Sequence, residues 1–348
     1  TAKWLAAQGV KHLALLSRGG PRDELVREGM ANLTSDGVHL YDLRADLTDP
    51  ASLTCALSTL RASAPPLGGV IHAAMVLEDR FLTAHDHASF ALALAPKARG
   101  AWLLHEATRD DPLEHFIVYS SIAAIAGSPR QANYAAGNTF LEGLVRYRRQ
   151  IGLPGLAVQW GALSGSGFVE RNEKTLAFLE KTGSEALPVD EALALLGRIL
   201  DREVATLAVA RVDWATLSRY SPSIGRLPLY RELPGIGDRD RSPRLSLAHL
   251  RASSPERQLA LIEDFLAAQI AAVFGTEVDT LDREMPVTRM GLDSLMAIEL
   301  LNRIEAALGI PFPMGAILSG PSVRDLASPV LRQILETAPA EEPESLPT

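Results

Sequence analysis

The chain has 348 residues, 47% hydrophobic and 22% charged, with a net charge of −8 at neutral pH. That length exceeds one ordinary domain and allows a substantial core, and the balance excludes disordered and membrane-embedded classes. Net acidity excludes a general nucleic-acid binder, which needs clustered Lys and Arg, and the absence of a long apolar run or a basic-then-apolar leader leaves cytoplasmic residence as the expectation.

The first nine residues, Thr1 to Gly9, are helix-like and lack an initiator Met, as expected of a segment cut from something longer. From residue 12, short apolar runs alternate with helix-like segments: His12 to Leu16, Val38 to Leu43, Gly69 to Ala73, Phe116 to Tyr119, Leu156 to Trp160 and Thr206 to Ala210. That alternation marks a parallel sheet with covering helices, and Pro50 to Arg61 and Ala135 to Gln150 have the length of crossover helices. The single cysteine, Cys55, cannot form an internal disulfide, and its neighbours suggest a buried helix position. This α/β domain is expected to span 1–235. Gly, Pro, Ser, Asp and Arg dominate 236–254, a linker composition.

An all-α domain is expected over 255–336. Ser254-Pro255 is a helix start, Leu259, Ile262, Leu266, Ile270 and Val273 follow at helical spacing, and Gly275 is a plausible stop. A second amphipathic helix should run from Ser294 to about Leu308, ended by Gly309, and a third from Val323 to Leu335. The acidic, Pro-containing tail 337–348 is expected to be disordered or a linker. Between residues 255 and 336 twelve acidic side chains face six arginines, so six of the eight net negative charges belong to the smaller domain.

Gly291-Leu292-Asp293-Ser294-Leu295 places a serine at a helix start, where Asp-Ser is also a common N-cap pair. The run Met290 to Leu300, preceded by a long helix and followed by Leu308-Gly-Ile-Pro-Phe-Pro313, resembles the acyl carrier proteins of polyketide and fatty acid synthases over 255–336. The resemblance implies a four-helix-type fold and 4'-phosphopantetheine on Ser294, added by a phosphopantetheinyl transferase. Asp293 would lie beside the attachment site, and Met296 and Glu299 on the docking face.

In the larger domain, Ser121 ends a strand-like run, and Tyr134 opens a helix on which Asn138 shares its face. Carbonyl reduction needs a hydride donor, a group that polarises the oxygen and a general acid. A free tyrosine titrates near 10, so a nearby cation is needed; periodicity alone does not choose among Lys97, Lys3 and Lys11.

Residues 1–235 resemble the ketoreductase domains of polyketide synthases, a branch of the short-chain dehydrogenase/reductases. The resemblance rests on Leu16-Ser17-Arg18-Gly19, Ala45-Asp46-Leu47-Thr48, Gly69 to Ala74, Pro96-Lys97-Ala98-Arg99-Gly100, the Ser121/Tyr134/Asn138 segment and Gln159-Trp160-Gly161. It implies a Rossmann-like, doubly wound parallel sheet. It assigns carbonyl polarisation to Ser121, proton donation to Tyr134, support of the tyrosine to Lys97 and a place in the relay to Asn138. NADPH is implied, with Arg18 on the adenosine 2'-phosphate, Asp46 at the adenine, and Ser17 and Ala73 along the cofactor. Arg18 is otherwise an ordinary loop arginine, and Asp46 a helix cap.

Two departures stand out. The family's glycine-rich loop and first strand do not occur in the sequence, so NADPH is expected to bind more weakly than to a chain extended upstream. Met75 stands where the family more usually has Gly.

Leu77-Glu78-Asp79 resembles the Leu-Asp-Asp motif of ketoreductases that give D-configured products. Pro129 agrees, and Ala126 occupies the position where the opposite class carries Trp. Asp79 is otherwise a plain loop residue. Ser164 to Phe168 is where a mobile lid would start. His85 and His87 lack partner ligands, so no metal is expected.

The combined reading is a polyketide synthase fragment that reduces acyl thioester intermediates carried on Ser294, with other domains of the same synthase as partners and neither nucleic acid nor membrane. The alternatives are a carrier and scaffold segment with a silent reductase, and the equivalent region of a fatty acid synthase.

Overall fold

The computed structural model describes residues 1–21, 23–128, 130–165, 179, 182–220, 228–230, 232–233, 245, 247–274, 276–292 and 294–336. They fall into two compact units, one built from Thr1–Leu176 and Glu185–Arg211, the other from Ala177–Ser184 and the chain from Val212 onward. Contacts thus group Val212 to Leu233 with the second unit, whereas composition groups it with the first. The boundaries 1–235, 236–254 and 255–336 remain a proposal about domains.

The first unit is a parallel α/β structure. Strand β1 (His12–Ser17) pairs in parallel with β2 (His39–Arg44). Strands β3 (Gly69–His72), β4 (His115–Ser121), β5 (Leu156–Trp160) and β6 (Thr206–Val209) form a second parallel ladder in that order. Every residue of β5 is buried, as expected for a parallel strand covered on both faces, which is why its sequence is a continuous run and not an alternation.

Helices cover both faces. Along β4, Phe116 and Val118 point to a core with Leu53, Leu57 and Leu60 of α3 (Pro50–Ser63) and Leu141, Leu144 and Val145 of α6 (Ala132–Gln150). Leu43 and Leu47 join this core, which ties the β1–β2 pair to the larger ladder. Ile117, one residue out of phase, packs instead with Val158, Trp160 and the Leu193, Leu196, Ile199 stripe of α7 (Val189–Leu200), where Trp4 of α1 (Ala2–Ala7) also packs. The two-residue period of the strand therefore divides the cores, and the fold is the doubly wound, Rossmann-like arrangement expected.

Cys55 is exposed, contrary to the expected buried position. The buried stripe of α3 is Leu53, Ala56, Leu57 and Leu60, the helical spacing i, i+3, i+4, i+7, and Cys55 falls outside it. Between α4 (His87–Leu94) and α5 (Gly100–Ala107) the chain makes a π-helical turn, Ala95–Arg99, a local irregularity that recurs at functional sites.

The second unit carries α8 (Pro255–Phe274), α9 (Ser294–Leu308), the short turn Met314–Leu318 and α10 (Val323–Glu336). Their core joins Ile262, Leu266, Ile270 and Val273 to Leu300, Ile304 and Leu308, and to Val323, Leu326, Val330 and Ile334. Each set follows helical spacing, so the three apolar stripes meet as the sequence suggests. The exit from α9 is held by the Phe312 N–H donating to Glu305 Oε1 at 2.8 Å. Gly275, Asp293 and the tail 337–348 lie outside the described residues.

Candidate active site and carrier serine

In a parallel α/β sheet the carboxyl ends of the strands open onto a crevice where ligands bind, and the candidate residues cluster there. Ser17 ends β1, with Arg18 following. Ala73 follows β3, and Ser121 ends β4. Helix α6 brings Tyr134 and Asn138 to the same end, and the π-turn brings Lys97.

The four proposed catalytic side chains come together. Burial raises the Tyr134 phenol above its ordinary value and the charge of Asp79 acts in the same direction, while neighbouring Asn138 and Ser121 oppose it by favouring the ionised form. Lys97 is only 2% exposed. Its Nζ donates to the Tyr119 carbonyl at 3.0 Å and lies 5.3 Å from the centre of the Tyr134 ring. Burial lowers the ammonium to about 8. Asn138 Nδ2 donates to the Tyr134 carbonyl at 2.9 Å, while Asn138 Oδ1 is buried with no hydrogen-bond partner among the described residues.

Three further residues shape this site without a distinctive motif in the sequence. Gly137 lies between Tyr134 and Asn138, and a Cβ there would stand 3.2 Å from Lys97 Cβ and 3.3 Å from its Cδ. A mid-helix glycine costs about 1 kcal/mol relative to alanine, which is the signal that could have exposed it; here its bareness lets the Lys97 stem lie against the helix. Asn133 is fully buried, donating from Nδ2 to the Glu78 carbonyl at 2.9 Å and accepting from the Tyr134 N–H at 2.8 Å. Glu142, also buried, accepts from Ser120 Oγ at 2.9 Å and Gln159 Nε2 at 2.7 Å. Ser120 and Gln159 are register partners on β4 and β5, so this carboxylate staples α6 to the two strands beside Ser121. A buried acid in an amphipathic helix is the sequence signal for it, but its partners are visible only in three dimensions.

The proposed cofactor residues lie on the β1–β3 side of the crevice. Ser17 Oγ accepts from the Gly20 N–H at 3.0 Å, and Gly20 has φ +65°. Asp46 accepts from Thr48 N–H and Oγ1 at 2.8 and 2.7 Å, which holds its carboxyl below the usual range, with the charge of Arg18 contributing less. Asp46 therefore closes its own turn, while Asp49 caps α3. Arg18, Ala73 and Met75 are exposed.

Of the stereocontrol pair, Asp79 is exposed and accepts from Gln131 Nε2 at 3.2 Å on both carboxylate oxygens. Pro129 lies outside the described residues, as do 166–168 of the expected lid.

In the second unit Ser294 is the first residue of α9, after Gly291 at φ +102° and the buried Leu292. A helix start leaves backbone N–H groups without intrahelical partners and favours a phosphate nearby.

Comparison with known proteins agrees with this layout. The KR domain family matches residues 1–165 and the phosphopantetheine attachment site family matches 264–328. The chain is a polyketide synthase ketoreductase domain followed by a phosphopantetheine carrier domain. It is 34% identical over 99% of its length to the phenolphthiocerol synthesis polyketide synthase type I Pks15/1 of Mycobacterium marinum, of which it spans 17%. A 33% identical Mycobacterium tuberculosis relative, matched over 97% of this chain and 22% of its own, carries the word inactive in its name. A solved structure described as A-type ketoreductases from modular polyketide synthase aligns with TM-score 0.59 and 32% identity, covering 62% of this chain and 46% of that one. These relatives are polyketide synthases, so the fatty acid synthase alternative gives way. Among the described residues no helix is long and apolar enough to cross a membrane.

The ketoreductase unit should lose stability in mild acid. His72 ends β3 at 3% exposure, and its imidazole interacts with the Pro96 backbone beside Lys97; burial first, then the Lys97 charge, lowers it to about 4. Burial also lowers His105. Because the folded value lies below the unfolded one of about 6.5, the unfolded chain takes the proton first, and stability present above pH 6.5 is lost as pH falls toward 4. Between pH 7.5 and 5.5 the His72 contribution should fall by roughly 1.4 kcal/mol. Urea unfolding followed by tryptophan fluorescence checks this, with His72→Asn expected to remove that part of the dependence.

Proposed function

We propose that the ketoreductase unit reduces a β-ketoacyl thioester to a D-configured β-hydroxyacyl thioester with NADPH, the substrate being carried on phosphopantetheine at Ser294. The observation that carries this reading is the gathering of Ser121, Tyr134, Lys97 and Asn138 at one end of the sheet.

The residues on the cofactor side suit NADPH: an exposed guanidinium at Arg18 offers a fork for a phosphate, and exposed Ala73 leaves room beside the strand end. When bound, NADPH supplies the hydride. Ser121 donates a hydrogen bond to the ketone oxygen, and Tyr134, kept protonated by burial, gives its phenolic proton to the developing alkoxide. The Lys97 ammonium stabilises the phenolate left behind. Asn138 anchors the tyrosine's backbone by the bond to the Tyr134 carbonyl. A phosphopantetheinyl transferase and the neighbouring synthase domains are the partners.

NADPH oxidation with a diketide β-keto thioester, followed by chiral analysis of the product, tests the proposal. Turnover with a D-hydroxyl product is expected. An L-hydroxyl product overturns the stereochemical part. No oxidation overturns the catalytic part and favours the silent-reductase reading, to which the relative named inactive lends weight.

A further inference from the structure

Arg130 is the only non-glycine residue with positive φ among the described residues, at φ +64°. An L-residue pays a steric cost in the left-handed region, and such strain persists where surrounding contacts hold it. The contacts here run to one short segment, Glu78 to Phe81. The Arg130 carbonyl accepts from the Arg80 N–H at 2.9 Å. Its guanidinium donates to the Asp79 carbonyl at 3.0 Å and stacks over the Phe81 ring at 5.5 Å. Gln131 grips the Asp79 carboxylate, and Asn133 grips the Glu78 carbonyl. Each of four consecutive loop residues is thus tied to the turn that leads into Tyr134. The loop borders the chemistry, since the Asp79 charge opposes ionisation of the Tyr134 phenol.

We propose that Arg130 is a specificity-determining residue: its left-handed backbone and guanidinium clasp the Glu78–Phe81 loop to the start of α6, holding one wall of the ketone site and so the face of the ketone presented for reduction. The proposal rests on the reductase reading above. Glycine at this position would accept the backbone conformation without strain but could neither bond to Asp79 nor stack on Phe81. Alanine would keep the strain and lose the same contacts.

The test uses the whole chain and two measurements, the ratio of the two alcohol configurations from a diketide β-keto thioester and deuterium exchange of the Arg80 amide. Arg130→Gly, which keeps the turn accessible, should lower the configurational ratio at least tenfold and speed Arg80 exchange by a similar factor. Arg130→Lys, which retains a cation but lacks the planar fork, should fall between it and the parent. An unchanged ratio in Arg130→Gly overturns the specificity role even if exchange rises, and unchanged exchange overturns the clasp itself. A parent product that is L-configured would defeat the D-assignment alone, because the drop in ratio is read relative to the parent. If the parent does not turn over, the reductase reading fails and with it the specificity role, while the exchange result still judges the clasp.

Discussion

Replacing Tyr134 by Phe should abolish most reduction while leaving the protein folded. The substitution removes one hydroxyl from a half-buried ring and leaves the ring's packing beside Lys97 in place. General acid catalysis by a positioned side chain is typically worth 10²- to 10⁴-fold, so kcat for a β-keto thioester should fall by about that factor with KM little changed, because the lost interaction acts on the developing alkoxide. Loss of one hydroxyl from this ring costs about 1 kcal/mol in stability, too little to confuse the two effects in an unfolding experiment. The parent enzyme should also show a basic limb set by Lys97. Its ammonium, lowered to about 8, is charged below that pH and neutral above it, so support for the phenolate weakens as pH rises through this value. Steady-state kinetics between pH 6 and 9 on the parent and Tyr134→Phe checks both statements; a variant within threefold of the parent would remove Tyr134 from the acid role.

Replacing Ser294 by Ala should abolish loading of the carrier and leave the reductase untouched. Incubation with coenzyme A and a phosphopantetheinyl transferase should add one phosphopantetheine to the parent and none to the variant, read by intact mass. The effect is all-or-none because the phosphodiester needs the serine oxygen. Reduction of a diffusible thioester should be equal in both proteins, whereas a β-ketoacyl group delivered on the arm should be reduced only by the parent, where tethering raises its local concentration. A mass shift that survives in Ser294→Ala would move the attachment site elsewhere.

The segments that were legible in the sequence are those whose information is local. Helix α9 begins and ends at Ser294 and Leu308 as read from the apolar stripe and Gly309, and β5 occupies Leu156 to Trp160 as read from its apolar run. Cys55 is exposed although apolar residues surround it in the sequence, because such a neighbourhood does not reveal which residue faces the core; a shift of one residue turns a helical side chain by about 100°. Lys97 could be named only through family resemblance, since nothing in its spacing separates it from Lys3 or Lys11.

An α/β unit, an acidic helical unit, a serine at the helix start after Gly291-Leu292, and a serine and a tyrosine of the types that ketone reduction needs within one segment can all be read from the chain before it folds. These are properties of residue type and short-range spacing. Folding adds that a π-turn carries Lys97 to the Tyr134 ring, that Gly137 makes room for it, that Glu142 staples α6 to two strands, and that Arg130, with a left-handed backbone, contacts the Glu78–Phe81 loop. Each of those depends on which distant backbone and side-chain groups satisfy one another once the strands are in register, and sequence distance carries no measure of that.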